Sequence, residues 1–445
     1  MRLEELKTLI IDEIKTRYDD EGCSQAELGE TEALFHAIVE SGTERELESI
    51  YQELLEIRAK ESPWWEPSDL DGIRLARLDG PRRLTCNLSD DDLYDKILGG
   101  WLGRVAGCAL GKPVEGWDRD TIEAYLAAHG ERDIEHYFPY EGAVSEQTCV
   151  KGAWHHPRID QNCCRGNIQY MPRDDDLDYT VIGLDVLRSK GLTFSTTDIA
   201  LAWLSKLPYA CTYTAERVAY RNLVLGKTPP NTASHQNPYR QWIGAQIRAD
   251  AFGYVCPGQP ELAATLAWKD GRLSHVKNGI YGEMWVAAAI AAAFTTTDAM
   301  KTIRMATSEI PSNSRFADMV NKVLMWHQQC SDWKACWEKI REHYGHLSRV
   351  HTLNNAALVL TGLLYGDGEL GKTISIAVQG GWDTDCNGAT AGSILGVMLG
   401  ASRLPRHWIE PFNDTLETAV FGYNYPKISE LAKMTLEVAT GKSSE

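Results

Sequence analysis

Long apolar runs are missing from this sequence. The longest, from Met284 to Phe294, is mostly alanine and far short of the roughly 20 residues that cross a bilayer. It reads as a buried helix. An excess of positive charge is missing too: 45 Lys and Arg face 62 Asp and Glu, for a net charge of −17. Such a chain repels phosphate backbones and anionic headgroups, so neither a membrane nor bulk nucleic acid is an expected partner. A local pocket for one phosphate is not excluded by the total. There is no CxxC pair among the eleven cysteines, whose number is odd, and the adjacent Cys163 and Cys164 make a poor structural disulfide. No leader-like segment opens the sequence, which runs directly into the charged, helix-like LEELKTLIIDEIKTRY. These features point to a cytoplasmic protein with reduced thiols. Alternating strand patterns are scarce, and low-complexity tracts and fixed-period repeats are absent.

What is present is helical patterning. Leu3, Leu6, Ile10 and Ile14 recur at helical spacing, and two further helical runs follow up to about residue 62. The stretch from Pro63 to Arg83 reads as irregular chain lying over a main body. The predicted organisation is a helical appendage with linker at 1–85 and a main domain at 86–445. Ser89 followed by three aspartates marks a helix start, where acids favour the dipole.

Two acid-rich segments carry the chemistry. In the first, Asp174, Asp175 and Asp176 precede an apolar helix. An over-supplied N-cap is the plain use of such a run. A helix–loop–helix calcium site fits Asp174, Asp176 and Asp178, but its sixth position requires glycine and holds Tyr179. Three adjacent carboxylates repel one another unless a cation neutralises them. In the second segment Asp383 and Asp385 follow Gly380 and Gly381 at another helix start. Neither segment has a neighbouring histidine. Oxygen ligands suit Mg²⁺ as cofactor, with Mn²⁺ or Ca²⁺ as alternatives, over Zn²⁺. Four or five carboxylates suit two ions better than one.

Two glycine stripes accompany these segments. Gly99, Gly103, Gly107 and Gly111 lie four apart, as do Gly388, Gly392, Gly396 and Gly400. Each interior glycine costs a helix roughly 1 kcal/mol against alanine, so each stripe implies close backbone approach. The stripes pack either on each other or each on some other helix. In an antiparallel mutual packing, Glu115 comes close to Asp383 and Asp385.

GCALGKPVE (107–115), the Asp-Asp pair opening a helix, and GGWDTDCNGATAGSILG (380–396) resemble the three signature segments of the ADP-ribosylglycohydrolase family. That family includes the dinitrogenase reductase-activating glycohydrolase, the ADP-ribosyl-acceptor hydrolases and the J-type crystallins. The resemblance covers about residues 90–440. It implies an all-α fold, a large orthogonal helical bundle, with divalent cations in a cleft. It also implies metal ligands at Asp174, Asp175, Asp176, Asp383 and Asp385, with Cys386 at the next ligand position. Catalytic roles fall on Glu115, Asp176 and Asp385, and substrate contacts on Gly111 and His275. For His275, a satisfied residue at a helix end is the competing use. Trp117 and Trp382 flank the segments and are placed either to stack on a base or to fill the core.

The sequence departs from the family pattern at four points. Cys108 stands for an aspartate, Asp174 for a hydroxyl residue, Leu177 for a threonine, and Cys386 for Thr or Ser. Thiol is a poor Mg²⁺ ligand. The resemblance therefore implies a divergent, metal-dependent hydrolase of a ribosyl N- or O-glycosidic bond, first of an ADP-ribosylated substrate. A free nucleoside or another ribosyl conjugate is the second substrate class. A non-catalytic ADP-ribose-binding or structural protein is the third reading.

Overall fold

The structure is a computed structural model that describes residues 3–57, 62–140 and 161–442. Residues 141–160, within a loop expected from the sequence, lie outside the described residues. Among the described residues the protein is all-helical, with isolated bridges such as Asp118 with Gly381 and no strand. No helix is long and apolar enough to cross a membrane among those residues.

The centre is the helix Asn278–Ala293, every residue of which is buried. Its lack of a polar face is the pattern of a helix surrounded on all sides. Of the glycine helices, Thr384–Leu399 lies beside it, and Asp90–Gly111 packs antiparallel on Thr384–Leu399. A Cβ built on Gly107 would stand 1.9 Å from the carbonyl oxygen of Gly388, and one on Gly103 2.1 Å from that of Gly392. Gly99 meets Gly396 in the same way, at 2.4 Å. The fourth contact departs from the simple stripe. Gly111 meets the backbone of Thr384 rather than a glycine, and Gly400 ends its helix at a φ of +83°. The mutual packing therefore runs right up to the second acidic segment.

Helices Leu3–Asp19, Gln25–Ile38 and Glu44–Glu56 bury Leu6, Ile10, Phe35, Leu47 and Tyr51 in a small cluster of their own, joined from the main body by Val218. Beyond Val218, and Tyr239 packed against the cluster, their contact with the body is polar and buried. Glu13 and Glu21 pair with Arg240, and Asp20 with Arg315 at 3.1 Å and His351 at 2.8 Å. The stretch from Pro63 to Arg83 does lie over the body, with Glu66 on Arg315 and Arg77 on Glu309. It is not wholly irregular, because Asp69 caps a short helix, Leu70–Ala76. The proline-rich composition around that turn hides it from a pattern search.

Candidate metal centre and cleft

The first glycine helix delivers the site. Past Gly111 the chain makes one tight turn, Lys112–Val114, and Glu115 follows. The opposite strap, Gly380 to Asp383, is clamped to it from both sides. The amide of Gly116 donates to the carbonyl of Trp382 at 2.9 Å, and that of Trp382 to the carbonyl of Trp117 at 2.8 Å. Trp337 Nε1 donates to the carbonyl of Gly380 at 2.9 Å, and Arg349 donates to the carbonyl of Gly116. Gly381 and Trp382 sit at φ +84° and +68°. A bulky residue rarely holds that conformation unless its surroundings impose it. Here the strained turn aims the following two aspartates inward.

Asn355 secures the start of the second glycine helix. Its Oδ1 accepts from the Asp383 amide at 3.1 Å and from Asn387 Nδ2 at 2.8 Å, while its own Nδ2 donates to the carbonyls of Arg349 and His351. On the other side, Asp174 caps the helix Asp175–Lys190 by accepting from the Asp176 amide at 3.0 Å. Its second oxygen takes Lys112 Nζ at 2.7 Å. Arg104, buried inside the glycine helix, lies 3.1 Å from Asp176 Oδ1 and 2.9 Å from Asp250. Asp178 serves the fold. It pairs with Arg173 and accepts from the Ala419 amide.

These elements bring the two acidic segments into one cleft. Three groups have ligand atoms within 4.8 Å of one another: Glu115 with Asp383 and Asp385, Asp176 with Asp385 and Cys386, and Cys108 with Asp174 and Asp176. Asp385 is shared by two of them. A cavity of about 360 Å³ opens beside the groups, a volume toward the small end of ligand pockets. Lys112, Glu115, Asp174, Asp175, Asp383, Asp385 and Cys386 line one side. Tyr213, Glu216, Ile243, Gly244, Ile247 and Val350 are on the other. Asp175 lines the cavity without joining any of the three groups. A wider cavity of about 1060 Å³ between Trp333 and Trp408 contains none of these acids. Converging carboxylates, rather than size, mark the site.

The electrostatics call for a cation. Burial and then the charges of Asp383 and Asp174 push the Glu115 carboxyl up to about 8. Burial pushes Asp176 up to about 7 in spite of Arg104. Asp175, Asp383 and Asp385 are driven well above the carboxylate range by burial and by their acidic neighbours. Asp174 goes the other way, because Lys112 and the Asp176 amide outweigh its burial. Asp385 Oδ1 is buried with no hydrogen-bond partner. An orphaned carboxylate oxygen among crowded acids is what a bound dication would satisfy, so the donor set fits a divalent metal.

The remaining residues singled out from the sequence lie around this cleft. Gly111 supplies room for the Thr384 backbone and accepts from Thr384 Oγ1 at 2.8 Å. Trp117 packs edge-on against Tyr125, and Trp382 stacks on Trp337. Neither ring is part of the cavity lining. His275 stands behind the opposite wall, bonded to Ser274 at 2.8 Å and 3.9 Å from Glu216. Glu216 is the residue that reaches the cavity there. Burial raises its carboxyl to about 7, although Arg248 sits 2.6 Å away. Sequence reading missed Arg104, Lys112, Asn355 and Glu216. Only Arg104 left a signal, as the one charged residue in the glycine-striped stretch from Gly99 to Gly111.

Comparison with known proteins agrees with this architecture. Residues 89–444 match the family described as ADP-ribosylglycohydrolase. No curated protein matches the sequence. Among solved structures, one titled ADP-ribosylglycohydrolase-related protein complex is similar, with a TM-score of 0.51 at 16% identity. The match covers 79% of this chain and 100% of that one. At that identity the likeness speaks for the fold alone, while the family match spans both acidic segments and both glycine helices. The chain belongs to the ADP-ribosylglycohydrolase family, whose members are hydrolases.

Proposed function

We propose that this protein is a divalent-cation-dependent glycosidase that cleaves a ribosyl N- or O-glycosidic bond, with an ADP-ribosylated molecule as the first substrate class. The observation that carries the reading is the convergence of Glu115, Asp383 and Asp385 within ligand reach of one another on the wall of a small cavity. Asp174, Asp175, Asp176, Asp383 and Asp385 are the carboxylates that would hold the metal. A bound dication supplies a polarised water and an anchor for vicinal hydroxyls.

The chain's own residues supply the rest. Cleavage of a ribosyl bond develops positive charge at the anomeric carbon. A cleft with this surplus of carboxylates favours such a charge as it forms. Burial, and then Asp383, raise the Glu115 carboxyl while no cation is bound, and its place on the cavity wall suits it to give a proton to a leaving group or to take one from water. Asp176 and Asp385 are the further candidates for holding that water. Lys112 keeps Asp174 ionised and fixes the start of its helix. Ile243, Ile247 and Val350 give the opposite wall an apolar face that limits water.

The cavity volume also favours a second reading, hydrolysis of a free nucleoside or another small ribosyl conjugate. A turnover screen across ADP-ribosylated substrates and nucleosides, with and without chelator, separates the two. Full activity in chelator would overturn the metal dependence. Asp383→Asn is expected to lower metal affinity strongly while far-ultraviolet circular dichroism stays unchanged. Wild-type affinity and turnover in that variant would show the centre to be misplaced.

A further inference from the structure

Two of the three ligand groups contain a thiol. Cys386 Sγ donates to Asp176 Oδ2 at 3.1 Å, and Cys108 stands with Asp174 and Asp176. Buried cysteine is ordinarily a small apolar filler, and Cys256, Cys108 and Cys386 all belong to the core cluster. What sets Cys386 apart, at the first turn of the second glycine helix, is the pair of carboxylates, Asp176 and Asp385, near its sulfur.

The distance is informative. A cation bonded to a thiolate at ~2.3 Å and to a carboxylate oxygen at ~2.1 Å holds the two donor atoms roughly 3.1 to 3.6 Å apart, for angles between roughly 90° and 110°. The observed 3.1 Å stands at the 90° end of that span, so sulfur and oxygen need to part by no more than about 0.5 Å to share an ion held tetrahedrally. Asp385 completes the group and extends to Glu115 and Asp383, and its Oδ1 is buried without a partner. One side of the shared carboxylate thus offers oxygen donors alone, and the other offers sulfur with oxygen.

Building on the metal-dependent reading, we infer that the centre is asymmetric: Asp176, Asp385 and Cys386 form a sulfur-containing subsite for a borderline dication such as Zn²⁺ or Co²⁺, beside an all-oxygen subsite at Glu115, Asp383 and Asp385. Thiolate binds such ions and is a poor ligand for Mg²⁺. On binding, the Cys386 S–H bond breaks, its electron pair forms the sulfur–metal bond and the proton leaves to solvent.

The test uses the full chain stripped of metal and titrated separately with Mg²⁺, Mn²⁺, Zn²⁺ and Co²⁺. Binding of Co²⁺ is expected to give the near-ultraviolet sulfur-to-cobalt charge-transfer absorption. Cys386→Ser should abolish that absorption and weaken Zn²⁺ and Co²⁺ binding by roughly 10- to 100-fold, with Mg²⁺ binding kept or tightened because serine supplies an oxygen donor. Cys386→Thr should behave alike and guards against a serine variant that fails to fold. Should neither fold, the wild-type cobalt spectrum is compared with that of Cys108→Ala: a sulfur band that survives belongs to Cys386, and one that disappears with Cys108 overturns the assignment. Cobalt binding without the sulfur band would overturn the asymmetric centre and leave the metal reading standing. Failure of the wild type to bind any of the four cations would overturn both.

Discussion

Along the glycine seam between the helices Asp90–Gly111 and Thr384–Leu399, backbone touches backbone, and side-chain hydrogen bonds cross only toward its two ends, from Thr384 to the Gly111 carbonyl and from Lys96 to the carbonyls of Val397 and Met398. Where the first three helices meet the body, the contact is made by long charged side chains, with Glu13, Asp20 and Glu21 on Arg240, Arg315 and His351. The first interface has few rotamers to adjust and fixes the relative position of its helices closely. It is the one that carries Glu115 to Asp383 and Asp385. The second is held by charge at the cost of desolvation, so its strength depends on every partner being present. Placement of ligands at ångström precision is found at the interface with the fewest degrees of freedom.

The largest expected effect follows at the glycine contact. Leucine at Gly107 would force a side chain into the carbonyl of Gly388, where even a Cβ has 1.9 Å. Overpacking against movable side chains costs about 1–3 kcal/mol. Here the neighbour is backbone, so Gly107→Leu and Gly392→Leu are expected to yield no soluble folded protein, judged by size-exclusion and circular dichroism. A folded Gly107→Leu protein with intact metal affinity would break the claim that this contact positions the centre.

Next in size is loss of the N-terminal helices. The sequence pattern predicts a separable appendage at 1–62, since the family resemblance begins after it. The interface sets a cost against separation. Truncation takes Glu13 and Glu21 from Arg240, leaves Arg315 with Glu66 but without Asp20, and removes the carboxylate from His351; a broken buried ion pair costs about 3–5 kcal/mol. A chain starting at Pro63 is therefore expected to melt well below the full chain or to aggregate. Asp20→Asn, which keeps the shape and removes the charge, should show part of the same loss in urea denaturation. A truncated chain of wild-type stability would mean that the charges are solvated locally and the helices are an independent module.

Acid should act on the two interfaces with opposite sign. Burial alone would raise Glu21, but Arg240 and Lys277 bring it down to about 2 from 4.5. Asp20 is likewise lowered, against its burial, by His351 and Arg315. A depressed folded-state value means stabilisation that is full above the ordinary carboxylate range and lost as pH falls through the folded value. At the metal centre the acids are raised, so protonation relieves their repulsion. As pH falls from about 5 to about 3, hydrogen exchange in Leu3–Asp19 should accelerate, after correction for intrinsic rates, more than exchange in Asp90–Gly111. Equal change in both helices would show that the interfaces are not distinguished by charge.

The same contrast explains what was legible in the sequence. Glycines four apart and paired acids at helix starts are local patterns, and local patterns survive in one dimension. Their periodicity implies close backbone approach and leaves two partners open; the approach of Glu115 to Asp383 follows only for the mutual antiparallel packing, which is the one the structure has. The charge pairs were invisible. Arg240 and Glu13 are 227 residues apart, and His351 and Asp20 are 331 apart, and nothing in composition joins them. Asn355 and Glu216 were unreadable for the same reason, because each acts at the site from a helix with no acidic motif. Trp117 and Trp382 were visible as aromatics beside the motifs. Their backbones clamp the strap, a role that side-chain chemistry does not announce.

The smallest expected effect is also the most discriminating about how the N-terminal helices are coupled to the body. Thr43 caps the helix Glu44–Glu56, the outermost partner of Leu3–Asp19, in a reciprocal box with Glu46. The box is exposed and touches nothing of the body, so Thr43→Ala removes about 1 kcal/mol from one helix and leaves both the buried charges and the glycine contact intact. If the buried ion pairs join the appendage to the body as one cooperative unit, that loss appears in the global urea midpoint with an unchanged slope. If the appendage opens independently, the midpoint of the main transition stays fixed, and only the amides of the first three helices lose protection. The first outcome is expected, because opening the appendage leaves Arg240 without Glu13 and Glu21 and takes Asp20 from Arg315 and His351. A fixed main transition in the variant, with exchange faster only before residue 57, would make the charge-bound interface the weaker seam and restore the separable appendage that the sequence alone predicts.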